Sequence, residues 1–309
     1  MDFRTDMAVE RRDIYKKAKK LDQIPGIECE EENISDKIKI TRVKITNEEG
    51  ENAIGKKQGN YITIDINKIN LSTDEQLEQI SNVFSEELKK IVDKHVIKQD
   101  EMLIVGLGNL YSTPDALGSK VVKDIEVTRH IKKYLPQYID ENERAISAIS
   151  PGVLGTTGIE TAEIIKGIVE NVKPKVLLVI DSLASKSIER ISSSIQISDT
   201  GIVPGAGVGN TRQELTKETI GIPVIAIGVP TVVNLKIIMD EGIDEFIGEL
   251  QDKAQSNDYL NQLKEKGEYN IAQNDSNHPY NNMIVTPKEI DDLIENMKNV
   301  IARGINYAV

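Results

Sequence analysis

Cysteine and histidine are scarce in this chain of 309 residues, and tryptophan is absent. The single cysteine, Cys29, excludes an internal disulfide framework and any site built from several thiolates, and it fits a reducing cytoplasm. His95, His130 and His278 are scattered and form no HExxH motif, so a histidine-based zinc site has little support. The scarce residue types therefore argue against the commonest metal and thiol chemistries.

Long apolar runs are also missing. The apolar run at residues 176–180 is far shorter than the roughly 20 residues that a membrane helix needs. The N-terminus is charged from its second residue and lacks the apolar centre of a secretory signal. We therefore expect a protein that is neither exported nor inserted in a membrane.

Acidic residues outnumber basic ones by 50 to 38, which gives a net charge of −12. Such a charge repels nucleic acid unless a local basic patch outweighs it. The lysines of residues 16–20 are the densest basic run near the N-terminus, and their spacing is more typical of a solvated helix face. Direct binding to nucleic acid is therefore not expected.

Short apolar strands alternate with helical patterns from residue 102 onward. The strand patterns are MLIVGLGN, AISAIS, KVLLVIDS and IPVIAIGVPTVV, and helical patterns follow at residues 121–134 and in TAEIIKGIVENV. Strands that are apolar on both faces and alternate with helices predict a parallel sheet covered on both sides. The fold class is therefore α/β, with a mostly parallel sheet and helices on both faces.

Other segments extend this core. Residues 37–66 alternate apolar and polar side chains around a turn region, which predicts an N-terminal antiparallel β addition. A long amphipathic helix follows a capping signal at residues 72–75, and a terminal helix follows residues 286–289. Residues 249–282 are polar and predict an exposed excursion. Together these patterns predict a single α/β domain.

Two aspartates follow apolar strands, where open α/β sheets bind their ligands. Asp181 directly follows the apolar run at 176–180, and Asp115 lies in a glycine-flanked loop beyond the strand at residue 102. If that loop folds back, the two carboxylates meet, share a proton and supply a general acid and a general base. The alternatives are that Asp115 caps the next helix and that Asp181 only satisfies loop amides.

The stretch IQISDTGIVPGAGVGN holds two further motifs. Asp199 heads an Asp-Thr-Gly triplet, which occurs once in an α/β chain and so favours a structural role over that of a pepsin-like enzyme. The glycine loop at residues 205–209 offers backbone amides but lacks the GK[ST] of a nucleotide loop. A small-molecule-binding protein, and a metal held by Asp115, Asp181 and Glu160, both remain alternatives at this point.

The ordered motifs IVGLGN, TPDALG, VTRH, PGVLGTTGIET, VIDSLAS, IQISDTGI, PGAGVGN and IPVIAIGVPTVV lead to a family. The chain resembles the germination protease of spore-forming bacteria from RTDMAVE at Arg4 to its final helix. The resemblance implies a homotetrameric endopeptidase in the forespore cytoplasm that degrades the small acid-soluble proteins of spore DNA. It also implies a fold like that of hydrogenase maturation endopeptidases, no cofactor, and Asp115 and Asp181 as the essential pair.

The resemblance further implies an inactive precursor that removes its own N-terminal segment. Substrates of this family are cut within one segment, in which Thr or Ser is followed by Glu, then by Phe or Ile, and then by Ala-Ser-Glu. Residues 5–10 of this chain, TDMAVE, imitate that pattern class by class. We therefore predict self-cleavage between Asp6 and Met7, which makes residues 1–6 a propeptide and residues 7–309 the peptidase domain. The alternative is that this segment is simply the start of the fold.

Acidic residues around the cleaved bond require basic partners, because a desolvated glutamate needs one. The basic candidates are Arg129, Lys186, Arg190 and Arg212, all in or beside the motif loops. Gly205 and Gly207 are candidates for holding the substrate backbone.

Overall fold

The structure is a computed structural model that describes residues 3–66, 73–208, 212–253 and 283–309. Its strands are β1 (Ile27–Asn33), β2 (Ile38–Ile45), β3 (Gly59–Ile66), β4 (Met102–Gly106), β5 (Ile146–Ile149), β6 (Val176–Ser185), β7 (Ser194–Ser198), β8 (Val224–Asn234) and β9 (Ile284–Val285). Its α-helices are α1 (Ala8–Lys19), α2 (Glu48–Ile54), α3 (Asp74–His95), α4 (Leu117–Val121), α5 (Arg129–Tyr134), α6 (Leu154–Thr157), α7 (Thr161–Val172), α8 (Lys217–Ile220), α9 (Leu235–Lys253) and α10 (Ile290–Ala308).

These strands form one sheet in the order β1-β2-β3-β7-β8-β6-β4-β5, and β9 pairs with β8. The pairs among β5, β4, β6 and β8 are parallel, whereas those from β8 through β7 and β3 to β1 are antiparallel. The predicted α/β class with a parallel core is confirmed, and the N-terminal addition is an antiparallel extension of the same sheet.

Helices cover both faces of the parallel core. On one face α3 and α10 pack on Ile104, Leu178 and Ile225. On the other, α7 packs on Val105 and Val179. All residues of β4 and β8 are buried, which is why these strands read as continuous apolar runs rather than as alternating patterns. No helix within the described ranges combines the length and apolar character needed to cross a membrane.

The turn region predicted between β2 and β3 is instead the short helix α2. The Asn47 side chain caps it by accepting a 3.0 Å hydrogen bond from the Gly50 amide, and Gly55 ends it with a left-handed φ of 62°. Asparagine before a helix and glycine after it are normal boundary residues. The same residue types are also common in turns, and this explains the incorrect prediction.

The predicted helix over residues 121–134 is also wrong, because α4 ends at Val121 and α5 begins at Arg129. Between them Thr128 bonds to the neighbourhood of β5: its hydroxyl donates to the Arg144 carbonyl and accepts from the Ile146 amide at 2.9 Å. These bonds hold the segment out of a helix. Within the predicted polar excursion, residues 249–253 are helical as the end of α9, and residues 254–282 lie outside the described residues.

Phe84 of α3 should be a principal anchor of the core. It is fully buried and its ring packs against Gly304 of α10. We expect Phe84→Ala to lower the free energy of unfolding by about 3–5 kcal/mol, because it removes apolar contacts and leaves a cavity. The matched control is Phe246→Ala, since Phe246 is 61% exposed and its replacement should change stability by less than about 0.5 kcal/mol. Urea denaturation measures both, and equal losses would contradict this packing.

Candidate active site

A cavity of about 280 Å³ lies at the carboxyl ends of the parallel strands. Its walls come from the segments after β4 and β5, the end of β6, the start of α7, residues 204–205 and 212–215, and Thr231 of β8. This is where open α/β sheets place their ligands. Asp115 and Asp181 both line it, together with Asp6 from the N-terminal segment.

Asp181 is 5% exposed and lies within β6, which continues past it to Ser185. The sequence analysis placed it at a strand tip, but pairing with β8 extends the strand. Its Oδ1 accepts a 2.9 Å hydrogen bond from the Ser182 amide. Burial raises its pKa well above the ordinary value, and the negative charge of Asp115 raises it further.

Asp115 ends a 3₁₀ turn, Thr113–Asp115, in the loop that follows β4. The loop folds back because Gly108, with a φ of 95°, lies directly against the Asp115 backbone, where a side chain would clash. The Asn109 amide donates a 2.8 Å hydrogen bond to Asp115 Oδ2. Burial raises the pKa of Asp115, while this bond and the charge of Arg212 oppose the rise.

The two environments can support acid–base chemistry. The charge of Asp115 favours the protonated form of Asp181, and two neighbouring carboxyl groups of this kind tend to hold one proton between them, which leaves one acid and one base. Asp115 does not cap α4, since the residue before that helix is Ala116 and no side chain caps it. Both aspartates do accept a loop or neighbouring amide, and these bonds fix the direction of each carboxylate.

Asp6 is bound beside this pair. Its amide donates to the Ala184 carbonyl at 2.9 Å, and its Oδ2 accepts from the Ala184 amide at 2.9 Å. Gly207 approaches the same carboxylate so closely that a Cβ would collide with it. The charge of Asp6 contributes to the raised pKa of Asp181. The charges of Asp115 and Asp6 therefore both act on Asp181.

Gln196 of β7 brackets the Asp6–Met7 peptide unit. Its Nε2 donates to the Asp6 carbonyl at 3.3 Å, and its Oε1 accepts from the Ala8 amide at 2.7 Å. Gln196 pairs with Gly228, and Gly228 pairs with Asp181, so all three lie in one row across the sheet. Gln196 is not among the residues predicted from the sequence, where its sole signal is its place in the IQISDTGI motif.

Glu10, at the other end of the docking segment (residues 5–10), has a buried carboxylate with several donors. It accepts from Ser185 Oγ at 2.9 Å and from the amides of Lys186 and Ser187 at 2.7 and 3.1 Å. The Thr5 hydroxyl donates to it, and Arg190 Nε lies 3.5 Å away. The docking segment is therefore fixed at Asp6 and at Glu10.

The predicted substrate-binding residues fall into three places. Arg212 and Gly205 line the cavity, and Gly207 lies against Asp6. Lys186, through its amide, and Arg190 contact Glu10, and Arg190 also bonds to Asp65 at 2.8 Å. Arg129 does not line the cavity, and its Nε lies 3.3 Å from Glu101. Gly209 and Asn210 of the glycine loop lie outside the described residues.

Within the described residues, no group of three or more histidine, cysteine, aspartate or glutamate side chains is arranged to hold a metal ion. Glu160, the third carboxylate considered for such a site, lines the cavity at the start of α7.

Asp199 connects two strands. Its Oδ1 accepts from the Asn60 amide at 2.8 Å and its Oδ2 from the Asn60 side chain at 2.6 Å, which ties β3 to the end of β7. It does not line the cavity of Asp115 and Asp181. These contacts support the structural interpretation of the Asp-Thr-Gly triplet.

We therefore expect Asp199→Asn to keep the kcat of the protein while lowering its stability by about 1 kcal/mol, because a charged acceptor is replaced by a weaker one. Peptide cleavage and thermal melting, measured on the same preparation, test this. A folded Asp199→Asn variant without activity would instead give the triplet a role in the reaction.

Comparison with known proteins decides the family. The family model described as germination protease matches residues 4–277. The chain belongs to the germination protease family. It is accordingly a peptidase, a hydrolase of peptide bonds, of the family that acts in spore germination.

Curated relatives match along nearly the whole chain. A germination protease of Caldanaerobacter subterraneus subsp. tengcongensis is 47% identical, with 100% of this chain and 94% of the relative covered. The germination protease of Clostridium acetobutylicum is 44% identical, with 99% of this chain and 94% of the relative covered. The germination protease of Bacillus subtilis is 40% identical, with 99% of this chain and 93% of the relative covered.

Among solved structures, a [NiFe] hydrogenase maturation protease, HycI, from Thermococcus kodakarensis KOD1 matches 46% of this chain and 80% of its own. The sequence identity of this match is 18% and its TM-score is 0.29.

Proposed function

We propose that this protein is an aspartic-type endopeptidase that starts the degradation of small acid-soluble spore proteins and processes its own N-terminus. The observation that carries the proposal is the cavity that Asp115 and Asp181 share beside the docked Asp6, in which the charge of Asp115 raises the pKa of Asp181. A carboxyl pair with one buried and one partly buried member at the carboxyl ends of parallel strands is suited to activating water, and membership of a peptidase family supplies the peptide bond as the target.

In the proposed reaction, the ionised member of the pair takes a proton from a water molecule as the water oxygen adds to the peptide carbonyl carbon. The protonated member donates a hydrogen bond to the carbonyl oxygen. The tetrahedral intermediate then collapses, the C–N bond breaks, and the leaving nitrogen receives a proton from the pair. The two raised pKa values support this scheme, because one proton must stay on the pair near neutral pH.

The docking segment supports self-cleavage between Asp6 and Met7. Asp6 lines the cavity, and Gln196 holds the carbonyl of the bond that would be cut. Gln196 and Asp181 flank Gly228 in one row of the sheet, and the Leu183 side chain fills the space over the glycine. In this proposal residues 1–6 are a propeptide, and its Asp6 occupies part of the site until the bond is cut.

Substrates follow from the same arrangement. The donors around Glu10 and the Arg212 charge in the cavity suit a peptide with acidic residues near the cleaved bond. Proteins of the forespore cytoplasm with such segments fit this site. We also propose a homotetramer, for which exposed aromatic side chains at Tyr111, Tyr134 and Tyr138 offer apolar surface. Light scattering of the purified protein measures that mass directly.

The function is tested by mass spectrometry on the purified chain and on a synthetic peptide containing Thr-Glu-Ile-Ala-Ser-Glu. We expect a new N-terminus at Met7 and cleavage of the peptide after its first glutamate, in the presence of a chelator. Asp115→Asn is the inactive control. If no bond is cut by the folded protein, the proposal fails. If the chelator abolishes cutting, the carboxylates hold a metal and the aspartic mechanism is wrong.

A further inference from the structure

Strand β8 contains a bulge beside the carboxylate pair. Residues of β6 and β8 pair one to one from Leu177 with Val224 to Leu183 with Pro230, and pairing then resumes at Ala184 with Val232. Thr231 is the extra residue. A bulge of this kind changes the direction of a side chain and is frequent beside active sites.

Thr231 lines the cavity that Asp115 and Asp181 share. The residue is 1% exposed, yet its Oγ1 has no hydrogen-bond partner in the described part of the chain. Ser182 also contributes a buried, unpartnered hydroxyl to this cavity, but Thr231 is the more enclosed residue. An unpaired buried hydroxyl costs free energy, and at Thr231, unlike Thr63, a water molecule or a substrate oxygen in the adjoining cavity can complete it.

The bulge is held in place from both sides. The Thr231 carbonyl accepts a 2.8 Å hydrogen bond from Thr286 Oγ1, and the Pro230 carbonyl accepts a 2.7 Å bond from the Ser192 amide. The turn that carries Asp115 packs against both β6 and β8. The backbone of Thr231 is therefore held at the wall of the cavity that contains both carboxylates, and a group that stabilises a transition state needs such a rigid support.

We infer that Thr231 is a further catalytic residue, whose hydroxyl donates a hydrogen bond to an oxygen of the tetrahedral intermediate formed from water and the substrate carbonyl. The inference rests on the proposed function and adds a donor to its site. Neither aspartate receives a hydrogen bond from Thr231 within the described residues, so its proton is available to a substrate oxygen. The intermediate has two oxygens, and the protonated aspartate can serve only one at a time.

The test compares the wild-type chain with Thr231→Val, which keeps the shape, and Thr231→Ser, which keeps the hydroxyl. The substrate is the Thr-Glu-Ile-Ala-Ser-Glu peptide. Thr231→Val should lower kcat by about 10²–10³-fold with little change in KM, because the bond strengthens only as charge develops on the oxygen. Thr231→Ser should recover most of the lost activity. Thermal melting verifies that each variant folds.

Thr63→Val is the matched control, since Thr63 is also buried and unpartnered but lies on β3 and does not line the cavity. It should leave kcat unchanged. Equal activity of the wild type and Thr231→Val would overturn the inference while leaving the proposed function intact. A loss in Thr231→Ser as large as that in Thr231→Val would also overturn it, since the hydroxyl would then not matter. An inactive wild type would overturn both.

Discussion

Asp181→Asn is expected to lose peptide cleavage by about 10²–10⁴-fold, because an amide can neither take nor give the proton that the reaction transfers. The substitution keeps the size of the side chain and an oxygen that can accept the Ser182 amide. Binding of the peptide should therefore change little, and the loss should appear in kcat. Single-turnover cleavage of the synthetic peptide, followed by mass spectrometry, measures it.

The same substitution should stabilise the fold at neutral pH. Burial and the charge of Asp115 raise the pKa of Asp181 in the folded state, so the folded protein binds its proton more tightly than the unfolded chain does. The stability that this proton contributes is present at low pH and is lost as the pH rises through the raised pKa. Asparagine carries no such dependence. The melting temperature of Asp181→Asn should therefore exceed that of the wild type by more at pH 7 than at pH 4.

These two results belong together, since a variant that is dead and more stable has lost chemistry rather than structure. Asp199→Asn is the matched control, because it makes the same change at an aspartate outside the cavity. If Asp181→Asn keeps its activity, the buried carboxyl is structural. If its stability relative to the wild type falls as the pH rises, the assumed direction of the Asp181 pKa shift is wrong.

Gly118→Ala should have the second large effect, because Gly118 lies where three backbone segments meet. A Cβ at this position would lie 2.6 Å from both the amide and the carbonyl of Leu107, and it would also collide with the Ile180 carbonyl. Backbone atoms cannot rotate away as side chains do. We expect a loss of about 1–3 kcal/mol in the free energy of unfolding from this overpacking.

Activity should fall more than stability suggests. Gly118 follows the turn that carries Asp115, and relief of the clash must move that turn away from β6. A displacement of about 1 Å at a reacting group can cost roughly 10²-fold in rate. Gly167→Ala in α7 is the control, since a Cβ there meets nothing within 4 Å. It should raise stability by about 0.5–1 kcal/mol without altering kcat. Equal behaviour of the two variants would show that the close contact at Gly118 does not position Asp115.

Much of the fold was predictable because its core strands are buried on both faces. The apolar runs of β4, β6 and β8 are too short to cross a membrane, and burial on both faces of a sheet explains them. Strand β7 was not predicted, since SIQIS is short and its polar side chains are buried by neighbours that are distant in sequence. Helix α9 was not predicted because its apolar residues show only a weak helical periodicity.

The site was predictable in part. The rule that ligands bind beyond the carboxyl ends of parallel strands pointed to Asp115 and Asp181. Gln196 and Thr231 could not be found in this way. Gln196 contacts Asp6 of the N-terminal segment, which is distant in sequence. The position of Thr231 depends on a bulge that only the pairing register reveals. The basic candidates were chosen because they lie near motifs in the sequence, and this criterion does not predict position in space. Arg212 lines the cavity, whereas Arg129 does not.

The docking of residues 5–10 also sets an order of events during synthesis. Asp6 bonds to Ala184 across a separation of 178 residues, and Ala8 bonds to Gln196 across 188. The ribosome makes the N-terminal segment first, but the strands that bind it are completed only after more than half of the chain has been made. The segment must therefore wait as an unbound end while β6 and β7 form. Under the proposed self-cleavage, the cut in this site cannot precede the folding of these strands, so a chain that processes itself has first assembled its sheet.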